Sequence, residues 1–273
     1  MSGVGVVTVV HGRHAHLRAQ HATLSRGEVA PDVYVVVAMG DPEVERVLPA
    51  DGVRPVFVSL DADPRGLPLA AARNRGVEAA RAAGCDVVVG LDVDCLAGAG
   101  LVGGYARAVR EDPERVWSGP VTYLPPPGPG GYPLDRLAEL DDPHPARPAP
   151  APGEVETGGD PDLFWSLSFA LSTAAWERTG GFDEAYVGYG AEDTDFGRRV
   201  VAAGLDLAWV GAARAYHQHH PVSSPPVEHL DDILRNGRLY RTRWGSWPMR
   251  GWLEEFERQG LVTRRGKDYL RVG

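Results

Sequence analysis

At 273 residues with 43% hydrophobic content, the chain is long enough to bury a substantial core, as one large domain or one domain with appendages. Its formal charge of −9 argues against a nucleic-acid backbone as main partner, because such binding is built on clustered Lys and Arg. No segment is long enough to span a bilayer. In chain order, Val4 to Val10 is a continuous β-branched run that predicts a first strand, and the His11, Arg13, His14 and His16 that follow read as a loop and helix rather than a signal peptide. Residues 13–26 have helical spacing; Val33 to Ala38 and Val53 to Leu60 predict two further strands. Leu67 to Ala83, rich in Ala and Arg, predicts a helix, and Asp86 to Leu91 a fourth strand. Cys85 and Cys95 flank that strand, too far apart to bridge comfortably, so reduced thiols and a cytoplasmic setting are expected.

Continuous apolar strands separated by helices indicate an α/β fold with a mostly parallel sheet, in which ligands gather at the carboxyl ends of the strands. Further on, 101–112 predicts a helix and 116–123 one strand. Proline, glycine and charge dominate Leu124 to Asp162, a flexible excursion that is either a tolerated surface insertion or a mobile loop near an acceptor site. Regular structure resumes at Phe164 to Leu171, with helices at 173–179 and from Asp193 to Ala203, a strand at 205–210 and a largely helical tail at 228–262.

Two acidic clusters carry the chemistry. Asp92-Val93-Asp94 closes the fourth strand, where burying carboxylates without a partner or a metal is expensive. At such a strand end one or both can reach an oxygen-loving divalent ion while substrate phosphates complete the coordination, although an isolated Asp-x-Asp is more often a turn or helix cap. His217, His219 and His220 follow a predicted strand and supply imidazoles, of which one or two can face one point. The second cluster, Glu192-Asp193-Thr194-Asp195, follows Gly188-Tyr189-Gly190-Ala191 at a predicted helix start.

In this order the pieces resemble a known family. Thr8 to Arg13, Arg73-Asn74-Arg75-Gly76 with Ala79, Leu91-Asp92-Val93-Asp94, Gly180-Gly181-Phe182-Asp183-Glu184 and Gly188 to Asp195 are similar to the inverting GT-A glycosyltransferases of family 2 over about residues 4–221. The last two strings also resemble the carboxyl-terminal half of the β-1,4-galactosyltransferases. The resemblance implies a GT-A domain over 1–221, with the loop 124–162 inside it, and a helical extension over 222–273. It further implies transfer of a hexosyl or N-acetylhexosaminyl unit from a nucleotide-sugar donor, by default a UDP-sugar, to a hydroxyl on a glycan, a lipid-linked sugar or a small metabolite, with Mn²⁺ or Mg²⁺ as cofactor.

Residue by residue, the resemblance implies that Asp94 and His217, with His220 next in order, coordinate the metal, that Asp92 lies beside it, and that Asp193 is the general base. Glu192 would hold an acceptor hydroxyl and Tyr189 face a sugar ring. Arg13, Arg73 and Asn74 are the candidates for nucleotide or diphosphate contacts, since arginine offers a planar fork for phosphate oxygens. Asp195 caps the helix or touches substrate. The paired acids with which many family members end their second strand are replaced here by Ala38-Met39-Gly40-Asp41, which leaves base recognition to Asp41 or to Asp61-Ala62-Asp63, itself equally an ordinary turn. Trp244, Trp247, Trp252 and Phe256, interleaved with arginines, suit packing on the catalytic domain, a second subunit or a membrane surface. Two other readings remain open: a sugar nucleotidyltransferase, for which Val10-His11-Gly12-Arg13 is a poor phosphate loop, and a non-catalytic sugar-binding or scaffold protein.

Overall fold

A computed structural model describes residues 3–221 and 223–272. The first half runs β1 (Gly3–Val10), α1 (His14–Leu24), β2 (Val33–Met39), β3 (Pro55–Leu60), α2 (Leu69–Ala82), β4 (Cys85–Leu91), β5 (Cys95–Ala97) and α3 (Leu101–Glu111). The second runs β6 (Arg115–Ser118), β7 (Val121–Tyr123), β8 (Val155–Thr157), β9 (Ser168–Ser172), α4 (Thr173–Thr179), α5 (Glu192–Ala202), β10 (Asp206–Val210) and β11 (Ala215–His217). The tail contributes α6 (Leu230–Trp244), α7 (Arg250–Arg258), β12 (Val262–Arg265) and β13 (Asp268–Arg271).

Eight strands form one sheet in the order β3-β2-β1-β4-β9-β6-β10-β8. Strands β1 to β4 are parallel, β9 is antiparallel to both β4 and β6, β10 is parallel to β6, and β8 closes the edge antiparallel to β10. In the central strands β1, β2, β4 and β9 alternate residues face opposite covered layers, which is why they read as largely apolar runs. Val4, Val6 and Val10 pack with Leu17 and Leu24 of α1 and with Leu101 and Tyr105 of α3. Val7 and Val9 pack with Ala70, Val77 and Ala80 of α2, Trp176 of α4 and Phe196 of α5. Helix α2 lies so close to β1 that a Cβ on Gly76 would stand 2.2 Å from Val7 Cγ1.

A second, small sheet positions the site. Its order is β5-β11-β7, with β11 antiparallel to β5 and parallel to β7. The run 116–123, expected as one strand, is two: Gly119-Pro120 breaks it, so β6 stays in the large sheet and β7 crosses to the small one. The stretch 124–162 is more structured than its composition suggests. Leu124 and Leu137 are buried in a cluster with Leu96 and Tyr216, and β8 pairs with β10.

The tail is not wholly helical, since β12 and β13 pair as an antiparallel hairpin. Its aromatic side chains turn inward. Trp247 and Phe256 are buried with Ile233, Leu253 and Tyr269, and Trp247 Nε1 donates to the Lys267 carbonyl at 2.7 Å. Among the described residues no helix is long and apolar enough to cross a membrane.

Candidate active site

The turn after β4 is built before its carboxylates are placed. Cys95 N–H donates to Asp92 O at 2.8 Å, and the fully buried Gln20 of α1 donates through Nε2 to Asp92 O (2.7 Å) and Cys95 O (3.0 Å). Gln20 Oε1 in turn accepts from the hydroxyls of Thr8 (2.8 Å) and Tyr34 (2.9 Å). The small sheet then brings in the histidines. His217 is in register with Cys95 on one side and Tyr123 on the other, and Gln218 N–H donates to Asp94 O at 2.7 Å.

Asp94 Oδ2 lies 3.5 Å from Nε2 of both His217 and His220, and 2.9 Å from Arg13 Nη1. One ligating atom from each of Asp94, His217 and His220 falls within 4.8 Å of the others. Burial alone would raise the Asp94 carboxyl; hydrogen bonds with His217 and His220 and the charge of Arg13 outweigh it and hold the group well below the usual carboxylate range. Its other oxygen, Oδ1, is buried without a hydrogen-bond partner among the described residues. An ionised carboxylate with an orphaned oxygen beside two imidazole nitrogens is a donor set that fits a divalent cation. His219 is exposed and its backbone N–H is held by Tyr132 Oη at 2.9 Å, so the pair that converges is His217 and His220.

Asp92 points elsewhere. Its Oδ1 accepts from Arg73 Nη2 at 3.1 Å, while Arg73 Nη1 reaches Glu192 Oε1 at 3.3 Å, so one buried arginine bridges the two acidic clusters. Burial raises the Asp92 carboxyl. Glu192 and Asp193 occupy the first turn of α5 after Ala191, which takes a left-handed φ of 74°; negative charge there suits the helix dipole. Glu192 is buried, its Oε2 lacks a partner, and burial together with the Asp193 charge pushes its pKa up. Asp193 is half-buried and its Oδ1 accepts from Thr194 N–H (2.7 Å) and Thr194 Oγ1 (3.3 Å); burial raises it as well.

Other sequence candidates have structural partners. Asp195 is fully buried and neither caps α5 nor lines the cluster: Oδ1 accepts from Tyr186 Oη (3.1 Å), Arg243 Nη1 (2.9 Å) and Trp244 Nε1 (2.8 Å), fastening α6 to α5. Asn74 bonds both ways to Phe182, accepting from its N–H and donating to its carbonyl at 2.9 Å each, and also donates to Glu184. It thereby braces the Gly-Gly-Phe-Asp-Glu turn, and both ends of its amide are engaged there. The glycine-flanked segment around Tyr189 is docked on α6. Asp232 accepts Tyr189 N–H at 3.1 Å, and Asn236 Nδ2 reaches the carbonyls of Val187, Tyr189 and Gly190. The half-buried Tyr189 ring stacks on His229, with centroids 4.3 Å apart. Asp41 accepts from Gly12 N–H and pairs with His14, each at 2.8 Å, and Asp63 closes a local turn with Arg65.

Two residues near the acidic clusters carry no sequence expectation, whereas the convergence of His217 and His220 on Asp94 agrees with the reading that one or two of the histidines face one point. Gln20 and Arg147 carry no local signal, because only the tertiary fold sets Gln20 beside the turn after β4 and Arg147 against the Trp165 ring.

Residues 162–221, which hold Glu192, Asp193, His217 and His220, match a family model described as the N-terminal domain of galactosyltransferase. Over 227 residues the chain is 30% identical to a validoxylamine A glucosyltransferase of Streptomyces hygroscopicus subsp. limoneus, covering 75% of this chain and 49% of that protein. A second protein of that name, from S. hygroscopicus subsp. jinggangensis strain 5008, is 43% identical over 44 residues, 16% of this chain and 10% of its own. The chain thus spans about half the length of the first relative or less. Among solved structures, S. aureus TarS 1-349 superposes with a TM-score of 0.59 at 13% identity, over 96% of this chain and 78% of that one. GalNAc-T7 with UDP, GalNAc and Mn²⁺ gives 0.52 at 16%, over 87% and 47%. The chain is thus similar in sequence to glycosyltransferases over the matched segments, and it shares the GT-A-like fold of TarS and GalNAc-T7.

Proposed function

We propose that the protein is a metal-dependent inverting glycosyltransferase that moves a sugar from a nucleotide-sugar donor to a hydroxyl acceptor. The observation that carries this reading is the meeting of Asp94, His217 and His220 at the carboxyl end of β4, beside the Glu192-Asp193 pair. Two imidazoles favour Mn²⁺ over Mg²⁺, which prefers an all-oxygen shell. When bound, such an ion supplies Lewis-acid stabilisation to the departing nucleoside diphosphate. Arg13, held on Asp94 at the mouth of the site, adds a planar cation for a phosphate oxygen.

On the acceptor side Asp193 takes the hydroxyl proton as the oxygen attacks the anomeric carbon, and burial raises its pKa, the direction that makes the carboxylate a stronger base. Glu192, fixed through Oε1 by Arg73, offers its free Oε2 to an acceptor hydroxyl. Attack from the face opposite the leaving diphosphate inverts the anomeric centre. UDP is the favoured nucleotide, in keeping with the UDP and Mn²⁺ of the GalNAc-T7 structure, and a glucosyl unit is in keeping with the name of the first sequence relative. The acceptor class stays as broad as a glycan, a lipid-linked sugar or a small metabolite. The two buried free thiols suit a reducing, cytoplasmic setting.

The test is a thermal-shift panel of UDP, GDP, dTDP and CDP, each with and without Mn²⁺. Stabilisation by one nucleotide only with metal supports the transferase and names the base. A well-folded sample that answers to none of them overturns this reading in favour of a binding or scaffold protein.

A further inference from the structure

The connection between β7 and β8 buries a cation for which the described residues supply no ion-pair partner. Arg147 is only 7% exposed, and its Nε, Nη1 and Nη2 are all buried without a hydrogen-bond partner. Its backbone is fixed, with the N–H donating to His144 O at 3.2 Å, and its guanidinium carbon lies 5.3 Å from the centroid of the Trp165 ring. A ring face offsets part of the charge but leaves the N–H donors, which lie in the guanidinium plane, unsatisfied.

Other arginines of low exposure behave differently. Arg73 bridges Asp92 and Glu192, and Arg214 pairs with Asp141 and the Pro150 carbonyl. An unpaired buried charge is a liability for the folded state, and an anionic partner that arrives from outside would relieve it.

The surroundings of Arg147 connect it to the candidate active site. Trp165 meets His144 edge-on at 5.3 Å, His144 lies 5.2 Å from Tyr123, and Tyr123 stacks on the metal-site residue His217 at 4.6 Å. A row of rings therefore runs from the guanidinium to the cluster around Asp94.

We propose that Arg147 is an anion-binding residue of the substrate cleft, taking phosphate or carboxylate oxygens of a substrate in its planar fork at the far end of the ring row from Asp94. The assignment deepens the transferase reading and rests on it for where the anion comes from: the donor diphosphate, or an acidic or phosphorylated acceptor.

The experiment compares the full chain with Arg147→Met and Arg147→Lys by calorimetric titration and thermal melting. The probes are UDP with Mn²⁺, uridine, inorganic phosphate and glucuronate. Without ligand, Arg147→Met melts no lower than the parent, because the uncompensated charge is gone. It then binds UDP, or phosphate and glucuronate, about 10- to 100-fold more weakly, the range lost with a charge-assisted hydrogen bond. Weakened UDP with unchanged uridine assigns the anion to the donor. Unchanged UDP with weakened phosphate and glucuronate assigns it to the acceptor. Arg147→Lys keeps the charge but not the fork and falls between the two, and it carries the same comparison should the methionine variant not fold.

Equal binding of every probe by parent and variants overturns the proposal, as does a parent that binds none of them. So does a lower melting point with binding intact, which makes Arg147 a packing residue on Trp165. A parent that ignores UDP and Mn²⁺ but binds phosphate through Arg147 refutes the transferase reading alone.

Discussion

Asp195 sits two residues beyond the proposed base, yet its contacts give it a purely architectural task that can be measured. Replacing it with alanine removes an acceptor that is fully buried and serves Tyr186 Oη, Arg243 Nη1 and Trp244 Nε1. Breaking a buried charged pair costs about 3–5 kcal/mol. Arg243 is 32% exposed and also pairs with Asp183, which brings its share to the lower end of that range, about 3 kcal/mol. The Tyr186 hydroxyl and the Trp244 indole N–H lose an acceptor in buried and half-buried surroundings and together add about 1 kcal/mol or more. The expected loss for Asp195→Ala is therefore about 4 kcal/mol, or roughly 10 °C in melting temperature for a domain of this size. Urea unfolding followed by circular dichroism reads it as a lower midpoint at unchanged slope. Asp195→Asn, which keeps one acceptor oxygen but not the charge, should lose about half as much. A loss below about 1 kcal/mol refutes the clamp. Equally damaging would be a turnover collapse as deep as that of Asp193→Asn at a temperature where Asp195→Ala is folded, since that would give Asp195 a part in the chemistry.

The remaining predictions concern the site itself. Asp193→Asn should cut turnover by about 10²- to 10⁴-fold, the range for a lost general base, while nucleotide affinity stays at the parent value; unchanged turnover in steady-state kinetics removes Asp193 from that role. Asp94→Ala and His220→Ala should each abolish most of the Mn²⁺-dependent part of UDP binding in calorimetry, whereas His219→Ala, at an exposed side chain, leaves it intact. Equal behaviour of the two histidine variants would dissolve the metal triad. Burial and the Asp193 charge push Glu192 from its ordinary 4.5 up to about 7. Between those values the folded state holds a proton that the unfolded chain has released, so this group's contribution is fully present below pH 4.5 and is lost as pH rises through 7. Glu192→Gln should accordingly flatten the fall in urea midpoint from pH 5 to pH 8 and gain up to about 3 kcal/mol on the parent at the alkaline end. Parallel profiles for the two proteins would contradict it.

What was legible in the sequence follows the range over which each feature is encoded. Strands β1 to β4 and helices α1 to α3 lie where the apolar runs and helical spacing predict them, because β1, β2 and β4, buried on both faces, need nearly every residue apolar, and a helix start or stop is written in its neighbours. The position of Asp92-Val93-Asp94 just past β4, and of Glu192-Asp193 in the first turn of α5, could be read in the same way. The hairpin of β12 and β13 was missed because its exposed residues are polar or charged and only Val262 and Tyr269 are buried, too few to show a period. The break at Gly119-Pro120 was visible, but its consequence, a strand lost to a second sheet, was not.

The roles of the polar residues belong to the tertiary structure alone. The same motif string holds Glu192 bound to Arg73, Asp193 half-buried and turned to its own Thr194, and Asp195 locked beneath α6, a division no spacing rule expresses. Asn74 and Arg73 sit one residue apart, yet one braces a turn and the other joins two acidic clusters. Arg147, in a run of proline and alanine, reads as a loop residue until the fold sets Trp165 against it. Burial of an apolar side chain is set largely by the pattern of its own segment, so sequence suffices to foresee it. The partner of a buried charge comes from a distant segment brought near only by packing, and that partner decides whether the charge supports the fold or waits for a ligand.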